Sequence, residues 1–207
     1  MRFRVYVDGF NLYYRALKDT PYRWVNLVAL ASRLLDTTDV IGHVRYFTAR
    51  IKGRATDPDA PRRQQIYLSA LATLSNVTAH YGRFLAKTKT RPLAANPRSY
   101  VEILDSEEKG SDVNLAVHLV NDGWRGQYDA ALVLSQDTDL AEAMRIVRDE
   151  LGLKVGLVWL DGRRPNPNLS DVASFVRHVS KADLAASQFP NPIVRQDGTR
   201  LHKPESW

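Results

Sequence analysis

Four aspartates stand just past apolar runs, and together they have the makings of a hard-metal site. Asp8 follows Phe3-Arg4-Val5-Tyr6-Val7. Asp112 lies in Glu107-Glu108-Lys109-Gly110-Ser111-Asp112-Val113, and Asp137 and Asp139 follow Ala130-Ala131-Leu132-Val133-Leu134 in Ser135-Gln136-Asp137-Thr138-Asp139. Carboxylates gathered at one edge repel one another at neutral pH unless a cation sits among them. Oxygen donors without Cys or clustered His favour Mg²⁺ or Mn²⁺. Such ions keep several waters, bind phosphate oxygens and can generate a hydroxide nucleophile. Helix capping is the competing use for Asp112 and Asp139, with Ser111 a good N-cap candidate.

Charge is distributed to suit a polyanion. The net charge is +6, but residues 45–98 hold 11 Lys or Arg against Asp57 and Asp59, a local net of +9 (11 − 2), while the rest of the chain carries −3. A basic flank that holds a polyanion and delivers its backbone to an acidic metal site would use both signs; a solvated basic face is the alternative. Arg83, Lys87, Lys89, Arg91 and Arg98 are the phosphate-contact candidates, because no acid interrupts residues 60–101. Arg163 and Arg164 follow a strand pattern and reach the same edge. Glu107 and Glu108 are either further ligands or solvent-exposed.

The elements that must position these residues alternate. Strand patterns fall at 3–7, 40–50, 77–82, 100–104, 129–134 and 154–159, and helical patterns at about 26–35, 62–74, 112–122 and 139–150. In the last helix Leu140, Met144, Val147 and Leu151 recur at helical spacing. Strands alternating with helices imply an α/β three-layer α/β/α sandwich with a mainly parallel central sheet. In such a sheet, sites form beyond the carboxyl ends of the strands where strand order reverses. Asp8 and the Asp137/Asp139 pair fall just after strand runs, so they are expected at that edge.

Residues 52–62 and 86–99, rich in Pro and basic residues, read as long loops. The tail from Phe189 is expected to be non-helical and to wrap the surface, with Trp207 as an anchor. Tyr13, Tyr14, Tyr22 and Trp24 are either base-stacking or core residues; Trp124 and Trp159 read as core. The absence of cysteine excludes disulfides, thiolate zinc sites and a thiol nucleophile, and suits a cytoplasmic protein. No Walker-type loop, Gly-x-Ser-x-Gly elbow or membrane-spanning run is present.

The motifs Val5-Tyr6-Val7-Asp8-Gly9-Phe10-Asn11-Leu12, Lys109-Gly110-Ser111-Asp112-Val113 with Leu115-Ala116, Tyr128-Asp129, and Ser135-Gln136-Asp137-Thr138-Asp139-Leu140 together resemble those of the NYN domain, a branch of the PIN-like, metal-dependent nucleases. The resemblance covers roughly residues 1–180, leaving 181–207 as an extension that packs on or wraps the domain. It implies that Asp8, Asp112 and Asp137 bind the metal and that Asp139 is the second acid of its loop. Asn11 then orients the site and Lys109 meets a phosphate. Two positions depart from the family's pattern: Gln136 stands where Gly is usual, and His118 where a further acid is common. The expected activity is endoribonucleolytic hydrolysis with Mg²⁺ or Mn²⁺. The expected partner is RNA, with single-stranded DNA as the alternative; no membrane is expected, and a homodimer is allowed. A nucleic-acid-binding module altered in catalysis is the second reading. A hydroxypyridine-type monooxygenase, a label some relatives carry, is the third.

Overall fold

The apolar runs become the strands of one sheet. The computed structural model describes residues 1–207 and contains β1 (Arg2–Asp8), β2 (Val40–Ala49), β3 (Val77–Leu93), β4 (Asn96–Lys109), β5 (Ala130–Leu134), β6 (Lys154–Trp159) and β7 (Phe175–His178). The seven strands lie in the order β4-β3-β2-β1-β5-β6-β7. All neighbours are parallel except β3 and β4. The chain moves outward from β1 to β2 on one side and to β5 on the other, so strand order reverses at β1. The crevice that follows opens between the ends of β1 and β5.

Helices cover both faces, as a largely parallel sheet requires. On one face α2 (Leu27–Leu34) and α3 (Ala60–Leu71) pack with Val5, Val7, Leu132 and Leu134; on the other, α4 (Ser111–Trp124) and α5 (Ala141–Arg145) pack with Tyr6, Phe47, Ala131 and Val133. The period-2 alternation of a strand places the Asp8 side chain on the same face as Tyr6, beneath α4. A short helix, α1 (Gly9–Leu12), follows β1 directly and continues as a π-helical turn through Leu17. Gly9 permits this: a Cβ there would lie 2.6 Å from the Tyr46 ring and 2.8 Å from the Phe47 carbonyl.

A buried ionic hub fixes α4. Asp122 is 3% exposed. It accepts from Arg45 Nε at 2.7 Å and Tyr6 O–H at 2.8 Å, and pairs with Arg4 at 3.0 Å. Burial works against its charge, but hydrogen bonds from Arg45, Tyr6 and Arg4 outweigh it and hold the carboxyl below its ordinary range. The hub ties α4 to β1 and β2 near the helix C-terminus, which sets where its N-terminus points.

Two expectations need correction. Residues 86–99 are not a loop: β3 runs on past Gly82 to Leu93, turns, and returns as β4 in antiparallel register from Leu93 opposite Asn96 to Arg83 opposite Lys109. Pro92, Pro97 and the lysines disguised it, because a ribbon with both faces exposed has no buried side to create an alternating pattern. The strand read at 100–104 is therefore the middle of the edge strand β4. Trp124 is not core; it is 77% exposed. Of the loop read at 52–62, residues 52–59 lie outside helices and strands, whereas Ala60, Pro61 and Arg62 already belong to α3. The tail packs back through the Trp24 Nε1–H donating to the Pro190 carbonyl at 3.2 Å, and through the Trp207 ring, 6.4 Å from Trp24 and 5.9 Å from Tyr67. No helix is long and apolar enough to cross a membrane.

Candidate metal and substrate site

Asp8 ends β1 at the reversal point and caps α1. Its Oδ1 accepts the Asn11 backbone N–H at 3.0 Å, and its Oδ2 accepts Asn11 Nδ2 at 2.6 Å and the Ser135 hydroxyl at 2.9 Å. Asn11 Oδ1 accepts the Gln136 N–H at 3.3 Å, and Ser135 Oγ accepts the Asp137 N–H at 3.1 Å. Asp137 in turn caps the next 3₁₀ turn through the Asp139 N–H at 3.0 Å. One network therefore joins the end of β1 to the loop after β5. Asn11 does orient Asp8, and fully buried Ser135 is a linking residue that sequence reasoning quoted but did not assign.

Asp112 arrives by a different route from the one the strand pattern suggested. The β3–β4 ribbon folds back so that Lys109 returns beside the end of the parallel sheet. Gly110 then turns with φ +99°, in the left-handed region that glycine tolerates, and α4 begins. The N-terminal cap of α4 is supplied by Glu108, which accepts the Ser111 N–H at 3.2 Å and its hydroxyl at 2.6 Å. Asp112 sits in the first turn and makes no hydrogen bond. The expected division of labour is thus inverted: Asp8, Asp137 and Glu108 cap, while the carboxylates of Asp112 and Asp139 are left uncommitted.

The electrostatics place these groups together. Burial raises the Asp112 pKa to about 6, with Asp8, Asp137, Glu108 and Asp139 adding repulsion in that order. Burial also raises Asp8, opposed by its hydrogen bonds from Asn11 and Ser135, and Asp137 adds to the rise. A shared negative field of oxygen donors is the chemistry of a hard-cation site. No three acidic or imidazole side chains close around one point. The acids therefore do not form an all-protein metal cage.

Beside this cluster lies a pocket of about 530 Å³ lined by Arg15, Gln136, Trp159, Asp161, Arg163 and Arg164, among others. Asp161 organises its wall: it accepts from Gln136 Nε2 at 3.2 Å, Trp159 Nε1 at 3.0 Å and the Arg163 N–H at 3.0 Å. Gln136 thus ties the Asp137 loop to the loop after β6, whereas Gln136 Oε1 is buried without a partner. Arg15 carries no signal in the sequence; only the helical turn after β1 brings it here.

The remaining basic candidates lie along the ribbon. Arg83, Lys87 and Arg91 are exposed and share one face of β3; Arg98 is exposed near the turn. Lys89 is taken out of this set: it pairs with Asp105 at 2.6 Å and with Glu107. Lys109 pairs with Glu107 at 3.0 Å, so Glu107 serves the ribbon and not the acidic cluster. His118 is no substitute acid. Its ring packs against His80 at a 49° tilt, centroids 4.3 Å apart, and near Phe47, and burial lowers its pKa.

Comparison with known proteins sets this geometry in a family. The chain is 32% identical to the 6-hydroxy-3-succinoylpyridine 3-monooxygenase HspA of Pseudomonas putida, a match covering all of this chain and 75% of that protein. Its fold is similar to that of a crystal structure of a protein of unknown function from Vibrio parahaemolyticus, with a TM-score of 0.52 at 14% identity over 87% of this chain and 93% of that one. The family model of the NYN domain matches residues 2–178. With its reversal-point carboxylates and mostly parallel sheet, the chain belongs to the NYN domain family of PIN-like nucleases.

Proposed function

We propose that this protein is a metal-dependent endoribonuclease that hydrolyses phosphodiester bonds at the Asp8, Asp112, Asp137 and Asp139 cluster. The observation that supports the reading is the raised pKa of Asp112, due first to its burial and then to repulsion from Asp8, Asp137, Glu108 and Asp139. Repulsion of that kind is relieved by a bound cation. Asp112 and Asp137 would hold Mg²⁺ or Mn²⁺, with Asp139 reaching it through water. The ion, when bound, supplies an activated water and stabilises charge on the phosphodiester. Asn11 and Ser135 orient Asp8 by donating to it, and their hydrogen bonds oppose the upward pull of burial on its pKa. Arg15, Arg163 and Arg164 bind the anionic backbone next to the cluster, and Arg83, Lys87 and Arg91 extend that path along the ribbon. RNA is the favoured substrate, with single-stranded DNA second.

A second reading rests on the Pseudomonas putida relative, whose name is that of a monooxygenase acting on a pyridine derivative. Under it, the arginine-lined pocket would hold a small anionic aromatic acid.

The test uses labelled RNA and single-stranded DNA with Mg²⁺, Mn²⁺ or EDTA. Cleavage is expected that EDTA abolishes and that falls at least about 100-fold in Asp137→Asn. Binding without cleavage under every metal condition leaves only a nucleic-acid-binding module. Oxygen- and reductant-dependent turnover of a hydroxypyridine acid, with RNA untouched, would establish the second reading.

A further inference from the structure

The exposed face of α4 has no role in the candidate site. Val113, Val117, Val120 and Trp124 recur at spacings of four, three and four, the a/d seam of an interhelical contact. The ends of the seam are open to solvent: Val113 is 65%, Val117 60% and Trp124 77% exposed. A large apolar stripe on a helix that already buries its opposite face calls for a partner. Beside the stripe runs a groove of about 560 Å³ between α4 and α5, lined by Ala116, Val117, Val120, Trp124, Ala143 and Ile146.

We propose that this face joins two copies of the chain through antiparallel packing of α4 on its symmetry mate. Three observations select a second copy. First, the stripe is self-complementary. With the two-fold axis between Val117 and Val120, Trp124 of each chain lies over Val113 and Ala116 of the other, so a large side chain at one end meets small ones at the opposite end. That is the requirement of an isologous contact. Second, the solvent-facing positions flanking the seam, Asn114, Ala116 and Asn121, carry no charge, while Gly123 is buried against Tyr128 and Leu151. Two identical faces therefore meet without like-charge repulsion along the seam, and Ala116 allows close approach. Third, the groove is lined mainly by apolar side chains, its polar residues are Asn121, Asp139 and Glu142, and it offers no Lys or Arg to grip a nucleic-acid backbone. Trp124 is the kind of residue that anchors such contacts. A seam of this length lies near the lower limit of specific interfaces, roughly 1,200 Å² in total, so a concentration-dependent equilibrium is expected. The two Asp112 carboxylates would lie roughly 20 Å apart along the helix axes, from about 1.5 Å of rise per residue.

Sedimentation equilibrium of the full chain from about 1 to 200 μM tests this. The average mass is expected to rise from one chain towards two and to stop there. Trp124→Glu and Val117→Glu should each weaken association at least about tenfold with unchanged circular dichroism, because both side chains are already exposed. Leu104→Glu, on the edge strand β4, should leave it unaltered. A single-chain mass throughout the range overturns the proposal. So does a dimer that both α4 variants leave intact, one that Leu104→Glu disrupts instead, or growth beyond two chains.

Discussion

Asp112 shows how much one carboxylate can report. Its ordinary pKa is 3.8 and its folded value about 6, raised first by burial and then by Asp8, Asp137, Glu108 and Asp139. A raised acid pKa means that the folded state binds the proton more tightly than the unfolded chain does. The group is therefore neutral and harmless below about pH 4, and its destabilising effect grows as the pH rises through 6. Asp112→Asn is expected to raise the metal-free Tm by about 2–4 °C at pH 7.5, the response of a domain this size to roughly 1 kcal/mol after allowing for solvent screening. The gain should vanish below pH 4. Millimolar Mg²⁺ should stabilise the wild type more than the variant, and differential scanning calorimetry at the two pH values and with Mg²⁺ reads all of this. A variant no more stable than wild type at pH 7.5 would mean that Asp112 lies outside the shared field. The places of Asp8, Asp137 and Asp139 at strand ends were legible in the sequence because each follows an apolar run; the place of Asp112 was not, because the ribbon that returns to it leaves no such signal. Which of them cap helices was not, since that depends on Glu108, an acid brought beside Ser111 by the turn at Gly110.

The ribbon formed by β3 and β4 carries the positive charge, and its lysines are not equivalent. Lys87 and Arg91 are exposed without ion-pair partners, whereas Lys89 is bound to Asp105 and Glu107 across the strands. Reversal of Lys87 and Arg91 to Glu is expected to weaken RNA binding about 10-fold or more at 100 mM salt. It should also reduce the slope of log K against log salt by up to about 0.7 per lost single-strand phosphate contact. Lys89→Glu should do something different. It sets a third acid between Asp105 and Glu107, so it should loosen the ribbon and raise amide exchange there. Fluorescence anisotropy over a salt series, with hydrogen exchange on the three proteins, separates the cases. Equal losses of affinity from all three reversals would show that ion pairing across the ribbon does not matter. The central strands were readable from their near-continuous apolar runs. This ribbon was not, because exposed antiparallel pairing leaves no hydrophobic period to read. Trp124 misled for the converse reason: an apolar residue at helical spacing looks like core whether the face it occupies is covered or open.

At the scale of the molecule, the fold separates two tasks onto the two faces of one sheet. Asp8 points, like Tyr6, to the face beneath α4, whose first turn carries Asp112. The C-terminal tail closes the other face, where Trp207 packs against Trp24 and Tyr67, with Arg23 over its ring 6.0 Å away. The sheet's strand order explains why sites can gather at one edge, and alternating patterns foretell such a sheet. The docking of the tail is foretold only by its having no helical period and ending in tryptophan. Because the two faces are separate, damage to the tail should lower stability without touching chemistry. Trp207→Ala removes a partly exposed ring, so its cost should fall below the roughly 3–5 kcal/mol of a fully buried tryptophan. A cost of about 2 kcal/mol would lower Tm by about 4–8 °C. At 20 °C, with the variant folded, metal binding and turnover at saturating substrate should match the wild type. Thermal unfolding followed by circular dichroism, with isothermal titration of Mn²⁺, measures both halves. If Trp207→Ala abolished metal binding while the chain remained folded, the two faces would be coupled and the separation of tasks refuted.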